Sequence, residues 1–246
     1  NLIEQNKLQE ANQVVENSRA LYGDDASFIY LKAELAQMAS LDSKDLYIKA
    51  KDADPVPWRV TTAHANFLKS RQDQKTVWVL DAQEIFNQNS PGGISGFNLS
   101  LDGSHPTKEG AYLIAKSIVK FIQDQQIIKS APNNNLNNIH PMADLFKFMN
   151  ITKDDDFFVY LKTAQLVIKS PLLNLDAAKY YLEKAQKIKD NDWELYATMA
   201  SVANLHGDSK SAQILLEKAQ KLKGAKIKKD EVEHIPYLSE ILNDRI

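Results

Sequence analysis

Cysteine is missing from this sequence altogether. Its absence excludes disulfides and thiolate metal sites, and it fits a reducing cytoplasm and a disulfide-free exported protein equally well. Long apolar runs are missing too. Nothing approaches the roughly 20 residues needed to cross a bilayer, and the first residues, NLIEQNKLQEANQ, lack the apolar stretch of a signal peptide. Charge of one sign is scarce: a formal net charge of -2 over 246 residues gives no electrostatic footprint for a polyanion, so no nucleic-acid partner is expected. No initiator methionine stands at position 1, where Asn1 runs straight into helical pattern, and the chain is read as a piece of a longer product. Ligand spacing is absent among His64, His140, His206 and His234, and Asp154-Asp-Asp156 lacks the alternating ligands and glycine of a calcium loop. No metal and no cofactor is expected, and the three aspartates read as a helix start, where acidic side chains favour the dipole.

What the sequence does contain is helical periodicity. Hydrophobic residues make up 43% of the chain, enough for a real core. From Lys7 to Ala53 the positions Leu8, Ala11, Val14, Val15, then Phe28, Leu31, Leu35 and Met38 recur at helical spacing, broken at Tyr22-Gly-Asp-Asp, which predicts two antiparallel helices. A third helix is expected from Ser43 to about Asp52, stopping before Pro55 and Pro57, and another from Thr62 to Ser70. Thr76-Val-Trp-Val-Leu-Asp81 is a β-branched and aromatic run that reads as a buried strand. It is the single convincing strand. A lone strand leaves both edges unpaired, so its sheet partners are expected from a missing N-terminal segment of the same protein or from another chain. The loop Asn87 to Gly96 follows, then Leu101-Asp-Gly-Ser-His-Pro-Thr107 leads into a helix from Lys108 to Gln125, with Thr107 as N-cap and Tyr112, Ile114, Ala115, Ile118, Val119 and Ile122 as its apolar side.

Beyond a polar stretch around residues 131–138 the sequence repeats itself. Leu182-Glu-Lys-Ala-Gln-Lys187 recurs as Leu216-Glu-Lys-Ala-Gln-Lys221, 34 residues on, the period of tetratricopeptide repeats. Each such unit is a pair of antiparallel helices that buries its apolar face only by stacking, and Ala178, Ala185, Ala200, Ala212 and Ala219 permit close approach. Tyr196, Ala200, Ala212, Leu216 and Ala219 resemble that family's packing positions, and Tyr47, Ala50 and Pro55 resemble the end of a further unit near the N-terminus. Glu233 to Asn243 is read as a terminal capping helix, and the Lys218–Lys229 cluster as a solvated charged face. A partner protein on the repeats is the expectation such hairpins carry.

Chemistry is concentrated at Asp102-Gly-Ser-His105. The spacing lets a carboxylate reach a nearby imidazole across a tight turn. An aspartate accepting from one ring nitrogen fixes the histidine tautomer and leaves the other nitrogen as a general base. By these residues alone, the segment is better described as a turn followed by a capping threonine.

The neighbours favour catalysis. FNLSLDGSHPTKEGAYLIAKSI resembles the final block of SGNH (GDSL-type) hydrolases, in which Asp-x-x-His-Pro-Thr opens a helix. DLYIKAKDADPVPWR, VWVLDAQEIF, SPGGISG and that block resemble, in order, the later half of bacterial members with tetratricopeptide-like helices inserted before the last strand. The likeness spans roughly Leu21 to Ile122. It implies that His105 is the general base and Asp102 its orienting partner, with the serine nucleophile and oxyanion donors outside this chain. Ser104 is not at the nucleophile position. Arg59 resembles a position where a buried arginine ties the helical insert to the catalytic layer, and equally fits an ordinary surface arginine. Gly103 stands where that subgroup often has a bulkier or polar residue.

The chain is therefore expected to be mostly α. It reads as a fragment of an α/β (SGNH, flavodoxin-like) domain contributing one strand and its helix, plus tetratricopeptide-like helical hairpins. The expected divisions are 1–57 helical insert, 58–130 hydrolase part, 131–150 linker and 151–246 repeats. The implied function is a serine ester hydrolase or acyl transferase acting on a small acyl ester, exported or anchored at a bacterial membrane. The alternative is a non-catalytic tetratricopeptide-like scaffold carrying a remnant of the motif.

Overall fold

A computed structural model of the protein describes residues 2, 5, 7–23, 25–56, 59–73, 75–128, 139–169 and 173–243. Helices carry nearly all its regular structure, so the chain is mostly α, and it divides into two units, residues 1–139 and 140–246. Among the described residues the β structure is confined to an isolated antiparallel bridge between Ser100 and Pro106.

In the first unit, α1 (Leu8–Tyr22) and α2 (Ala26–Met38) pair through Ala11, Val15, Phe28 and Leu35, with Leu8 and Leu31 packed against them. Asp25 starts α2 by accepting the Ser27 and Phe28 amides, donors that the first helical turn otherwise leaves unpaired. Next, α3 (Lys44–Ala53) lies on α2, its Tyr47 ring edge-on to Tyr30 at 5.4 Å between centroids and its hydroxyl donating to Gln37 Oε1. The end of α3 is tied to the start of α4 (Thr62–Ser70) by Asp52, which accepts the Thr62 amide at 2.8 Å, and by Lys51 Nζ donating to the Val60 carbonyl at 3.0 Å. An ion pair of 2.6 Å from Lys69 to Asp81 then links α4 to α5 (Ala82–Gln88), which Asp81 also caps through the Glu84 amide. After a 3-10 turn at Pro91–Gly93 comes α6 (Lys108–Asp124), capped by Thr107 Oγ1 accepting the Gly110 amide at 3.1 Å.

Gly110 fixes where the loop before α6 must lie. A Cβ there would sit 2.2 Å from the Leu99 carbonyl oxygen and 3.1 Å from the Phe86 ring, so only glycine lets Leu99 and α5 rest directly on the first turn of α6.

The second unit begins with α7 (Met142–Phe148) and continues as two hairpins, α8 (Lys153–Val167) with α9 (Leu175–Ile188), and α10 (Trp193–Leu205) with α11 (Ser209–Lys223). Each of these four helices has a side-chain cap: Thr152 in a capping box with Asp155, then Asn174, Asp192 and Asp208. Asp154, Asp155 and Asp156 fill the first turn of α8. Leu182, Ala185, Leu216 and Ala219 are fully or almost fully buried, as are Tyr181, Tyr196, Ala200 and Ala212. Inside the stack, Gln165 donates to Thr198 Oγ1 at 3.0 Å, which satisfies two buried polar side chains across α8 and α10.

Several expectations need correction. Residues 77–81 form no strand; Val77 is exposed and Trp78, Val79 and Leu80 are half-buried. A strand needs a neighbouring backbone in ladder register, whereas the bonds here are local: the Asp73 amide donates to the Val77 carbonyl at 3.2 Å and the Val79 amide to Gln72 Oε1 at 3.2 Å. Asp73 instead organises the approach, accepting the amides of Lys75, Thr76 and Val77 and the Thr76 hydroxyl. Those donors hold its carboxyl well below the usual carboxylate range. Within the expected linker, 142–148 is helix α7, while 131–138 lies outside the described residues. The repeated Leu-Glu-Lys-Ala-Gln-Lys segments are the second helices of successive hairpins, and α10 lies against both α9 and α11. The terminal helix is only α12 (Leu238–Asn243), because Pro236 brings no amide and Tyr237 has φ +63°.

Candidate functional site

The loop from Leu99 to Thr107 is closed at its base by backbone bonds from the Thr107 amide to the Leu99 carbonyl, 2.9 Å, and from the Leu101 amide to the His105 carbonyl, 2.8 Å. Ser100 Oγ braces it from inside, accepting the Gly103 amide at 2.9 Å and donating to the His105 carbonyl at 3.2 Å. At the tip Gly103 has φ +91°, a left-handed conformation that a side chain would strain.

Asp102 and His105 are brought together by this turn. Asp102 Oδ1 accepts the Ser104 amide at 2.9 Å and the His105 amide at 2.8 Å, while Oδ2 contacts His105 Nδ1 at 2.8 Å. Burial alone would raise the Asp102 carboxyl; the backbone and side-chain hydrogen bonds from His105, with that from Ser104, outweigh it and hold the group below its ordinary value. The carboxylate side chain is 13% exposed and the imidazole 74% exposed. With Nδ1 at the aspartate, Nε2 is the second nitrogen of the exposed ring. Ser104 follows the carboxylate in the turn and is exposed.

Arg59 enters the site from the other side. Its guanidinium lies against Gly103, so close that a Cβ there would fall 2.6 Å from Nε and 3.2 Å from Cζ. The arginine is exposed rather than buried. Local pattern alone does not reveal this contact between residues far apart in sequence. Its signals in the sequence are the resemblance at Arg59 and the glycine between Asp102 and His105.

Elsewhere, His64 Nδ1 contacts Thr61 Oγ1 at the start of α4, and His234 Nε2 lies 3.3 Å from Glu194. Among the described residues no group of three or more His, Asp or Glu side chains is arranged to hold a metal ion, and no helix is long and apolar enough to cross a membrane. Comparison of the chain with protein-family models, with curated proteins and with solved structures gives no match.

Proposed function

We propose that Asp102 and His105 form the base side of a serine ester hydrolase or acyl transferase of the SGNH type, acting on a small acyl ester. The serine and the oxyanion donors are supplied by residues outside this chain. The observation that carries this reading is the Oδ2 to Nδ1 contact of 2.8 Å beneath an exposed imidazole. An imidazole held at Nδ1 takes the serine proton at Nε2, and the carboxylate stabilises the imidazolium that results. Capping α6 does not account for the pair, because Thr107 caps that helix by itself and the Asp102 contacts go to Ser104 and His105.

A second observation supports the partner this reading needs. Ile118 and Val119 on α6 are 43% and 42% exposed, Phe67 on α4 is 62% exposed, and Val77 is exposed as well. Exposed apolar side chains of this kind are what a sheet would cover. The segment bearing the serine is the proposed source of that sheet.

In the protein containing that segment, His105→Ala lowers p-nitrophenyl acetate turnover by about 10³-fold or more while melting is unchanged. Unchanged turnover overturns the reading. In that case the rival takes over: a non-catalytic scaffold whose hairpins bind a partner protein in the open cleft of about 380 Å³ lined by Phe157, Phe158, Leu161 and Lys162 of α8 with Lys189 and Glu194.

A further inference from the structure

We propose that Arg59 is an anion-binding subsite beside His105, so that the ester handled at this loop carries a fixed negative charge. The inference rests on the hydrolase reading for what the subsite serves, but its geometry stands independently. Gly103 has no side chain to keep the guanidinium away, and Arg59 Nε and Nη2 come within 2.6 and 3.1 Å of where its Cβ would be. His105 is two residues further on, within about 7 Å along the chain. Both side chains are exposed, so each is open to a small molecule from solvent.

The charge on Arg59 is not spent within the protein. Among the described residues no hydrogen bond or ion pair occupies its guanidinium. The nearest carboxylate in the loop, Asp102, is already engaged by the Ser104 amide, the His105 amide and His105 Nδ1. A guanidinium is permanently charged, and its planar fork matches the two oxygens of a carboxylate or the face of a phosphate. A second cation rests on the preceding turn: Lys44 Nζ lies 3.5 Å from the Cβ position of Gly93. That turn is joined to the site's own strand of chain through Asn98, which donates to Ser90 Oγ at 3.0 Å, just before Leu99. Cations delivered from the helical segment to both turns favour a substrate anion over a neutral ester.

The test is a titration of the ¹⁵N-labelled chain with monomethyl succinate and, in parallel, with neutral dimethyl succinate. Saturable shifts of the Gly103 and His105 amides and of Arg59 Nε–H are expected for the monoester alone, with Kd in about the millimolar range. R59Q weakens this at least about tenfold, and R59K, which keeps the charge but loses the fork, retains only part of it. Equal response to the neutral diester, no saturation, or unchanged affinity in R59Q overturns the subsite. Should R59Q disturb the fold, loss of binding in folded R59K on raising the salt concentration decides in favour, and salt-insensitive binding decides against. No turnover is needed. Failure of the hydrolase reading is seen separately, in the ester assay with His105→Ala.

Discussion

Asp102 grips His105 twice, with Oδ1 on its amide and Oδ2 on its Nδ1, each at 2.8 Å. One carboxylate thus sets both the backbone position and the ring orientation of the imidazole. An aspartate that only shaped a turn would need the first contact and not the second.

The grip is pH-dependent in a definite direction. The Asp102 carboxyl is held below its ordinary value in the folded protein, against about 3.9 in the unfolded chain. Its stabilising effect is therefore complete above about pH 4 and drains away as pH falls through the folded-state value. Urea melts between pH 2 and 6 should show a shallower acid slope for Asp102→Asn than for the native protein. Because the loop is solvent-accessible, the loss at pH 7 is expected at about 1 kcal/mol.

Gly110→Ala should be among the most damaging small substitutions in residues 1–139. The added methyl would meet the Leu99 carbonyl at 2.2 Å and the Phe86 ring at 3.1 Å, so the loop carrying Asp102 and His105 must shift off α6. A loss of about 1–3 kcal/mol is expected from overpacking. Chemical denaturation measures it, and broadened Leu99–Thr107 amide resonances locate it.

Leu216→Ala tests the hairpin stack. Leu216 is wholly buried on α11, and truncation should cost about 2–5 kcal/mol. Fluorescence of Trp193, at the start of α10, should report the lower midpoint. A change below about 0.5 kcal/mol, the range of ordinary surface substitutions, would mean the buried seam contributes little.

Much of this architecture was legible in the sequence. Thr107 before Lys108-Glu-Gly110 signals a capped helix, and α6 begins there. The repeated Leu-Glu-Lys-Ala-Gln-Lys marks α9 and α11, since recurring leucines and alanines must face the same kind of neighbour. Two short helices were not read. In α5, Asp81 and Glu84 form a cap signal hidden behind Val77-Trp-Val-Leu80, whose β propensity dominates a local reading. In α7 a single amphipathic run of seven residues sits beside a polar stretch. The expected strand failed for a different reason: propensity is local, but a strand exists only when another backbone accepts its hydrogen bonds. The Asp102–His105 contact follows from spacing across a turn, whereas Arg59 against Gly103 depends on tertiary placement of α3 and α4.

The most direct measurement is labelling by a fluorophosphonate, which reports an activated serine without requiring knowledge of the substrate. Applied to the protein together with the proposed serine-bearing segment, it should mark one serine outside residues 1–246, with the label lost in His105→Ala and reduced in Asp102→Asn. Absence of labelling in the native protein, or equal labelling of native and His105→Ala forms, would contradict the assignment of Asp102 and His105 as the base pair of an ester hydrolase.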